Sequence, residues 1–287
     1  MSNTYHSPGR FSILPPIVKN LLIINILCFL ATIVLKSTFS IDLYKLLGLH
    51  YFQSDIFSPY QFITYMFMHG SFEHLFFNMF ALWMFGSTIE NVWGSKRFII
   101  FYLITGIGAA LTHYLIIHLQ LSTDIALLEA SIQSPDIVTL QALIKNHQFH
   151  INQYSGDIWN QFLLFQENVH ALQFAPSNVE AMEQINDFLN NYLNYYVSLP
   201  NVVGASGSIY GLLLAFGILF PNAMIYIYFL FPMKAKWFVI IFGVIELISG
   251  IFGSGDGVAH FAHLGGMIFG LLLILLWRKK SNSPYQQ

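Results

Sequence analysis

The chain has 287 residues, of which 55% are hydrophobic and 9% are charged, and its formal net charge is −2. A soluble domain carries about 25% charged residues, so this composition indicates a membrane protein. The small negative charge argues against a nucleic-acid partner. The single cysteine, Cys28, excludes an internal disulfide, and no cysteine or histidine cluster has zinc-like spacing, so neither a metal nor a cofactor is expected.

Apolar runs bounded by charged residues predict the membrane-spanning helices. The N-terminal segment, 1–19, is polar and lacks the apolar stretch and cleavage site of a signal peptide. Six spans follow; they cover roughly residues 20–35, 71–89, 98–119, 202–220, 236–252 and 258–277. The apolar run 223–231 lies between Pro221 and Pro232 and is too short to span, so we interpret it as a returning connector.

Basic residues predict the orientation of these spans. Nine of the twelve lysine and arginine residues fall on the same side of a six-span chain: Arg10, Lys19, Lys96, Arg97, Lys234, Lys236, Arg278, Lys279 and Lys280. Short loops rich in lysine and arginine usually stay in the cytoplasm. Both termini are therefore expected in the cytoplasm, and the loops after the first, third and fifth spans are expected on the outer side.

The loop after the third predicted span, about residues 120–200, is long and acidic. It carries eight acidic residues against one basic residue, Lys145. Helix-start signals recur in it, at Ser134 before Pro135 and at Ser177 with Glu180 three residues later. We expect several short amphipathic helices that cover the membrane part, with a substrate-gathering role as the alternative.

Together these patterns predict an all-α polytopic membrane protein. It would be a bundle of six transmembrane helices with a helical extracytoplasmic insertion between helices 3 and 4. Residues 1–119 would hold the N-terminal tail and helices 1–3, residues 120–200 the acidic insertion, and residues 201–287 helices 4–6 and a cytoplasmic C-terminal tail. The insertion holds no Asn-x-Ser/Thr sequence, which favours a bacterial inner membrane as the location.

Two residues with reactive side chains lie inside predicted spans. Ser206 follows Gly204 in the fourth span, and His263 lies in the sixth. Both spans run from outside to inside, and both residues fall on the order of 10 Å below the outer surface, at about 1.5 Å per residue. A serine needs a neighbouring base to become a nucleophile, and histidine suits that task at neutral pH.

The second span adds candidates for stabilising an oxyanion. His74 and Asn78 are four residues apart, so they share one face of a helix at the same end of the membrane. Each signal also has a plainer interpretation. A Gly-x-Ser-Gly run occurs where membrane helices pack closely, and buried membrane histidines serve as proton relays or hydrogen-bond partners. The common depth of Ser206 and His263 favours a catalytic role for this pair over these plainer interpretations.

In this combination the chain resembles the rhomboid family of intramembrane serine proteases, over all six predicted spans. Three motifs carry the resemblance and occur in the family's order. They are His-x-x-x-Asn at His74 and Asn78, Gly-x-Ser-Gly at residues 204–207, and Ala-His-x-x-Gly-x-x-x-Gly at residues 262–270.

The resemblance implies a role for each motif residue. Ser206 would be the nucleophile and His263 the general base, and His74, Asn78 and the Ser206 backbone amide would hold the oxyanion. The implied activity is hydrolysis of a peptide bond in or near the transmembrane segment of a membrane-protein substrate, within the lipid bilayer.

The resemblance also gives neighbouring residues a purpose. Tyr210, one turn after Ser206, matches a family aromatic residue that packs on the catalytic histidine, although ordinary helix packing explains it equally well. The supporting glycines, several of which would let the fourth and sixth helices approach closely, are Gly204, Gly207, Gly211, Gly266 and Gly270. His260 lacks glycines at the required downstream spacing, and no role is assigned to it.

Two departures from the family pattern stand out. The insertion after the third span is far longer than in minimal six-span members. Glu246 lies in the fifth span where the family often has a bulky apolar residue; it would line a water-filled cleft, pair with a polar loop group, or snorkel as a structural residue. Neither Glu246 nor Asp256 has a spacing that predicts a third catalytic member, so a Ser-His dyad is the simpler account.

The sequence disfavours three other classes of protein, to different degrees. A membrane metalloprotease is disfavoured because the chain has no His-Glu-x-x-His sequence. A transporter is disfavoured because no pair of Gly/Pro-broken segments occurs in matching halves. The strongest alternative is a non-catalytic rhomboid-like protein that binds transmembrane helices for quality control, although the presence of Ser206 and His263 argues against it.

Overall fold

A computed structural model describes residues 11–227, 231–253 and 257–281, and these are mostly helical. The helices are α1 Pro16–Phe39, α2 Leu43–Leu47, α3 Gln61–Thr64, α4 Phe72–Ala81, α5 Ser87–Trp93, α6 Ser95–Gln133, α7 Ile137–Asn146, α8 Asp157–Phe174, α9 Val179–Ser198, α10 Ser206–Leu219, α11 Ala235–Phe252 and α12 His260–Ser281. Four short strands are β1 Leu49–His50, β2 Asn201–Val202, β3 Met224–Ile227 and β4 Phe231–Lys234. Arg10 and Asp256, which entered the predictions above, lie outside the described residues.

Among the described residues, four helices are long and apolar enough to cross a membrane. They are α1, α6, α11 and the part of α12 from His260 to Arg278. Helix α10 is apolar but shorter, with 14 residues and a length of about 21 Å. The predicted span 71–89 forms a helical run in which a π-helical segment, Leu82–Gly86, joins α4 to α5.

Two predicted spans differ in extent from the helices found there. Helix α10 begins at Ser206 instead of residue 202, because Gly204 has φ +130, which is incompatible with a right-handed helix. Helix α6 continues to Gln133 instead of ending near residue 119. Its 39 residues make it about 58 Å long, well beyond the ~30 Å hydrocarbon core of a bilayer.

The segment predicted as a returning connector contains two paired strands. Strand β3 pairs with β4 in antiparallel register, with Met224 opposite Lys234 and Tyr226 opposite Pro232. The chain then enters α11 directly at Ala235, whose backbone N–H donates to the Ala223 carbonyl at 2.8 Å. This segment therefore does not add a spanning helix.

The chain divides into two compact units. The first comprises residues 1–49, 59–114 and 202–287. In this unit many large apolar side chains are exposed, which suits contact with lipid; on α11 they include Ile240, Val244, Ile248 and Ile251. The same helix buries only Ala235, Val239 and Glu246. Helix α11 thus turns one carboxylate away from its apolar outer face.

The second unit comprises residues 50–58 and 115–201, and aromatic residues dominate its core. Phe165 of α8 and Phe188 of α9 pack with ring centroids 4.6 Å apart, and both side chains are almost fully buried. The first turn of α9 is capped by Asn178, which accepts from the Ala181 N–H, so the prediction of a cap at Ser177 is wrong by one residue.

A buried polar group joins the aromatic core of this unit. His147 lies between α7 and α8, and its Nε2 is 2.9 Å from the hydroxyl of Tyr192. Its Nδ1 lies 3.3 Å from Oδ1 of Asp124, which also accepts a hydrogen bond from Tyr196. Burial lowers the pKa of His147 below its ordinary value of 6.5, and the nearby Asp124 carboxylate opposes that shift only in part.

Candidate active site

Ser206 is the first residue of α10, and the loop before it fixes its position. The backbone N–H of Gly204 donates to the carbonyl of Tyr65 at 2.9 Å. The positive φ of Gly204 then turns the chain sharply into the helix. The first N–H groups of a helix have no acceptor within the helix, so the amide of Ser206 is suited to bind an oxyanion.

His263 lies in the first turn of α12 and faces Ser206. Its Nε2 is 2.8 Å from the Ser206 hydroxyl oxygen, which is hydrogen-bond distance. His263 is buried, with 8% of the residue's surface exposed. The structure therefore brings together the serine and the histidine that the sequence places 57 positions apart.

Glycines explain why α10 and α12 come so close. A methyl group at Gly266 would overlap with the carbonyl of Gly207, and one at Gly211 would lie 3.1 Å from the Gly266 carbonyl oxygen. A methyl group at Gly270 would lie 3.4 Å from the Gly211 Cα. These backbones touch without intervening side chains, as small residues allow between membrane helices.

Tyr210 holds the imidazole from one side. It follows Ser206 by one helical turn, and its ring stacks on His263 with a centroid distance of 4.2 Å and an interplanar angle of 6°. The stacking fixes the plane of the imidazole, so that Nε2 stays directed at the serine.

Helix α4 supplies the two residues expected to bind an oxyanion. Ser71 caps this helix by accepting from the His74 N–H at 3.1 Å. A Cβ at Gly204 would lie 2.8 Å from Nε2 of His74 and 3.5 Å from the Ser206 hydroxyl oxygen, so both groups line the same small space. Asn78 follows one turn later and is buried, and its Nδ2 has no hydrogen-bond partner among the described residues.

A carboxylate that the sequence spacing did not predict lies beside His263. The carboxylate of Glu246 on α11 has Oε2 2.9 Å from Nδ1 of His263 and 2.6 Å from Nδ1 of His260. Its other oxygen, Oε1, accepts a hydrogen bond from the hydroxyl of Tyr210. Spacing along the chain gave no reason to place Glu246 beside His263, and the lone carboxylate in an apolar span was the signal that could have found it.

The arrangement contains the groups that acyl transfer requires. The Ser206 hydroxyl and the His263 imidazole are in contact, His74 lines the space next to the hydroxyl, and a carboxylate stands behind the imidazole. The nearest metal-ligating atoms of Glu246, His260 and His263 also lie within 4.8 Å of one another. These atoms are close because the Glu246 carboxylate contacts both imidazoles, and this contact accounts for their spacing.

Comparison with known proteins gives the family. A family model described as a rhomboid domain matches residues 57–126 and 181–280, which is more than half of the chain. Rhomboid-like protein 11, chloroplastic, of Arabidopsis thaliana is 40% identical over 58 residues, covering 20% of this chain and 21% of that relative. The match thus spans about a fifth of the relative's length. Together with its apolar helices, the domain match makes this protein a multi-pass membrane protein that belongs to the rhomboid family.

Proposed function

We propose that the protein is an intramembrane serine endopeptidase that cleaves transmembrane segments of membrane-protein substrates. The 2.8 Å contact between the Ser206 hydroxyl and Nε2 of His263 is the observation that carries the proposal. Membership of the rhomboid family supports the same reaction class. A packing role for the Gly-x-Ser-Gly run does not require a base at the serine, whereas a protease does.

In the first step, Oγ of Ser206 attacks the carbonyl carbon of the scissile peptide bond. The hydroxyl proton moves to Nε2 of His263, and a tetrahedral intermediate forms. When the intermediate collapses, the C–N bond breaks and Nε2 returns the proton to the leaving amine. A water molecule then hydrolyses the acyl ester on Ser206, with His263 again acting as the base.

The negative oxygen of the intermediate needs donors that are in place before the reaction. We assign this role to the Ser206 amide, to His74 and to Nδ2 of Asn78. A buried amide nitrogen without a partner is costly in a resting protein, by about 1–3 kcal/mol. That cost is understandable at Asn78 if the partner is the transient oxyanion, which fits poorly with a purely structural role.

The proposed topology has six membrane-spanning helices with both termini in the cytoplasm. The spans would be α1, the run from α4 to α5, α6, α10, α11 and α12. Four of these meet the length and apolarity of a span on their own. The basic residues on one side of this arrangement support the orientation, and a bacterial inner membrane is the proposed location.

The segment between α6 and α10 is proposed to be an extracytoplasmic helical insertion. The family match is interrupted between residues 126 and 181, within the segment predicted as acidic and helical. Single-pass or other transmembrane proteins are the proposed substrates. A helical peptide bond is shielded by its own hydrogen bonds, so the substrate segment must unwind locally before Ser206 can attack it.

A cleavage assay in reconstituted liposomes tests the proposal. Wild-type protein should cleave a single-span substrate, and both Ser206→Ala and His263→Ala should abolish cleavage. Ser208→Ala is the matched control, because the Ser208 hydroxyl donates to the Tyr102 carbonyl at 2.7 Å and not to a base. If folded wild-type protein binds the substrate helix without cutting it, and Ser206→Ala binds equally, the protein is a non-catalytic helix-binding member of the family.

A further inference from the structure

Glu246 has an arrangement that a structural carboxylate does not need. It is the only acidic residue of α11, and 6% of its surface is exposed. An ionised carboxylate within a membrane helix is expensive unless it is paired. Glu246 meets three polar groups, and one of them is the imidazole that faces Ser206.

We propose that Glu246 is a positioning residue that completes a Ser206–His263–Glu246 triad within the membrane. This inference rests on the proposed protease function and deepens it. Nε2 of His263 must be unprotonated to accept the Ser206 proton, so the ring proton has to reside on Nδ1. A carboxylate oxygen 2.9 Å from Nδ1 selects that tautomer and favours the imidazolium that forms during attack.

Glu246 does not exchange protons in this scheme. The Ser206 proton moves to Nε2 of His263 and later to the leaving amine, while the Nδ1 proton and the carboxylate charge stay in place. In the resting protein the Nδ1–H bond of His263 does not point closely enough at Glu246 to form a hydrogen bond. The 2.9 Å between Nδ1 and Oε2 is nevertheless within ion-pair distance. Contacts of this kind commonly tighten when substrate binds.

The groups around the carboxylate hold it in position. Tyr210 donates to Oε1 and also stacks on His263, so one side chain fixes both the acid and the base. His260 lies one turn before His263 on α12, and its Nδ1 is 2.6 Å from Oε2. These contacts give Tyr210 and His260 a purpose that ordinary helix packing does not supply.

The test separates kcat from KM for a single-span substrate. Glu246→Gln keeps the shape of the side chain and removes its charge, and we expect kcat to fall at least about 100-fold with KM changed less than about threefold. Glu246→Asp keeps the charge and should recover part of kcat. Glu90→Gln is the matched control, because Glu90 is a buried carboxylate that accepts from the Val18 N–H and the Ser95 hydroxyl. It should keep the wild-type kcat in folded protein.

A second variant tests the same proposal if Glu246→Gln does not fold. Tyr210→Phe preserves the stacked ring and removes one donor to Glu246, so kcat should fall about tenfold at unchanged KM. Wild-type kcat in folded Glu246→Gln or Tyr210→Phe would overturn the proposal, as would an effect confined to KM, which would place Glu246 in the substrate cleft.

Two further outcomes are distinct from these. Loss of wild-type activity in a chelator would mean that Glu246 and the two histidines hold a metal, and it would overturn the positioning role. An inactive wild-type protein would instead refute the proposed protease function, and the triad with it.

Discussion

Replacing Gly266 by alanine tests whether the contact between α10 and α12 sets the reactive distance. The new methyl carbon would lie 2.7 Å from the carbonyl carbon of Gly207, whereas carbon atoms pack at about 3.5–4.0 Å. Because the obstacle is backbone, the two helices must separate by about 1 Å. This shift would carry the 2.8 Å contact between Ser206 and His263 beyond hydrogen-bond distance.

A misplacement of about 1 Å costs on the order of 100-fold in rate, and we expect that loss for Gly266→Ala. Overpacking should also destabilise the first unit by about 1–3 kcal/mol. The assay is the rate at which a fluorophosphonate probe labels the purified protein in detergent. Gly243→Ala is the control, because its methyl group would meet only Met267 at 3.4 Å. Wild-type labelling of folded Gly266→Ala would refute the reasoning.

Three further predictions concern the oxyanion site and the second unit. Asn78→Ala should lower kcat by about 100-fold to 1000-fold in the cleavage assay without unfolding the protein, and unchanged turnover would remove Asn78 from the oxyanion site. The His147 pKa is lowered in the folded protein, so the second unit should be most stable above pH 6.5 and lose stability as the pH falls below it. Protection factors of the α8 and α9 amides, corrected for the pH dependence of intrinsic exchange, that are equal at pH 8 and pH 5 would contradict this. Phe188→Ala should destabilise the second unit by about 3–5 kcal/mol in a proteolysis assay, whereas Leu164→Ala, which is 54% exposed, should cost less than about 1 kcal/mol.

The proximity of Ser206 and His263 could be predicted from the sequence, because it depends on their position along two spans and on local motifs. The positions of Ser206 and His263 within outward-starting spans predicted that they lie at one level. The glycines after each residue predicted a close approach of their helices, and the 2.8 Å contact agrees with both expectations. Their catalytic roles stay predictions until activity is measured.

Features that depend on tertiary geometry could not be predicted from the sequence. The contact between Glu246 and His263 depends on the rotation of α11 about its axis, and no spacing along the chain encodes that rotation. The long extent of α6 was missed because Asp124 and Glu129 resemble the end of a span, although a helix continues readily into water. The contribution of residues 50–58 to the second unit likewise arises from packing between distant segments.

The attachment site of a fluorophosphonate probe tests the central claim most directly. Purified wild-type protein is labelled and digested, and mass spectrometry identifies the modified residue. The account predicts one adduct, on Ser206, whose formation is lost in His263→Ala because the hydroxyl then has no base. Folded wild-type protein that gains no adduct at Ser206, or gains it equally in His263→Ala, would contradict the account.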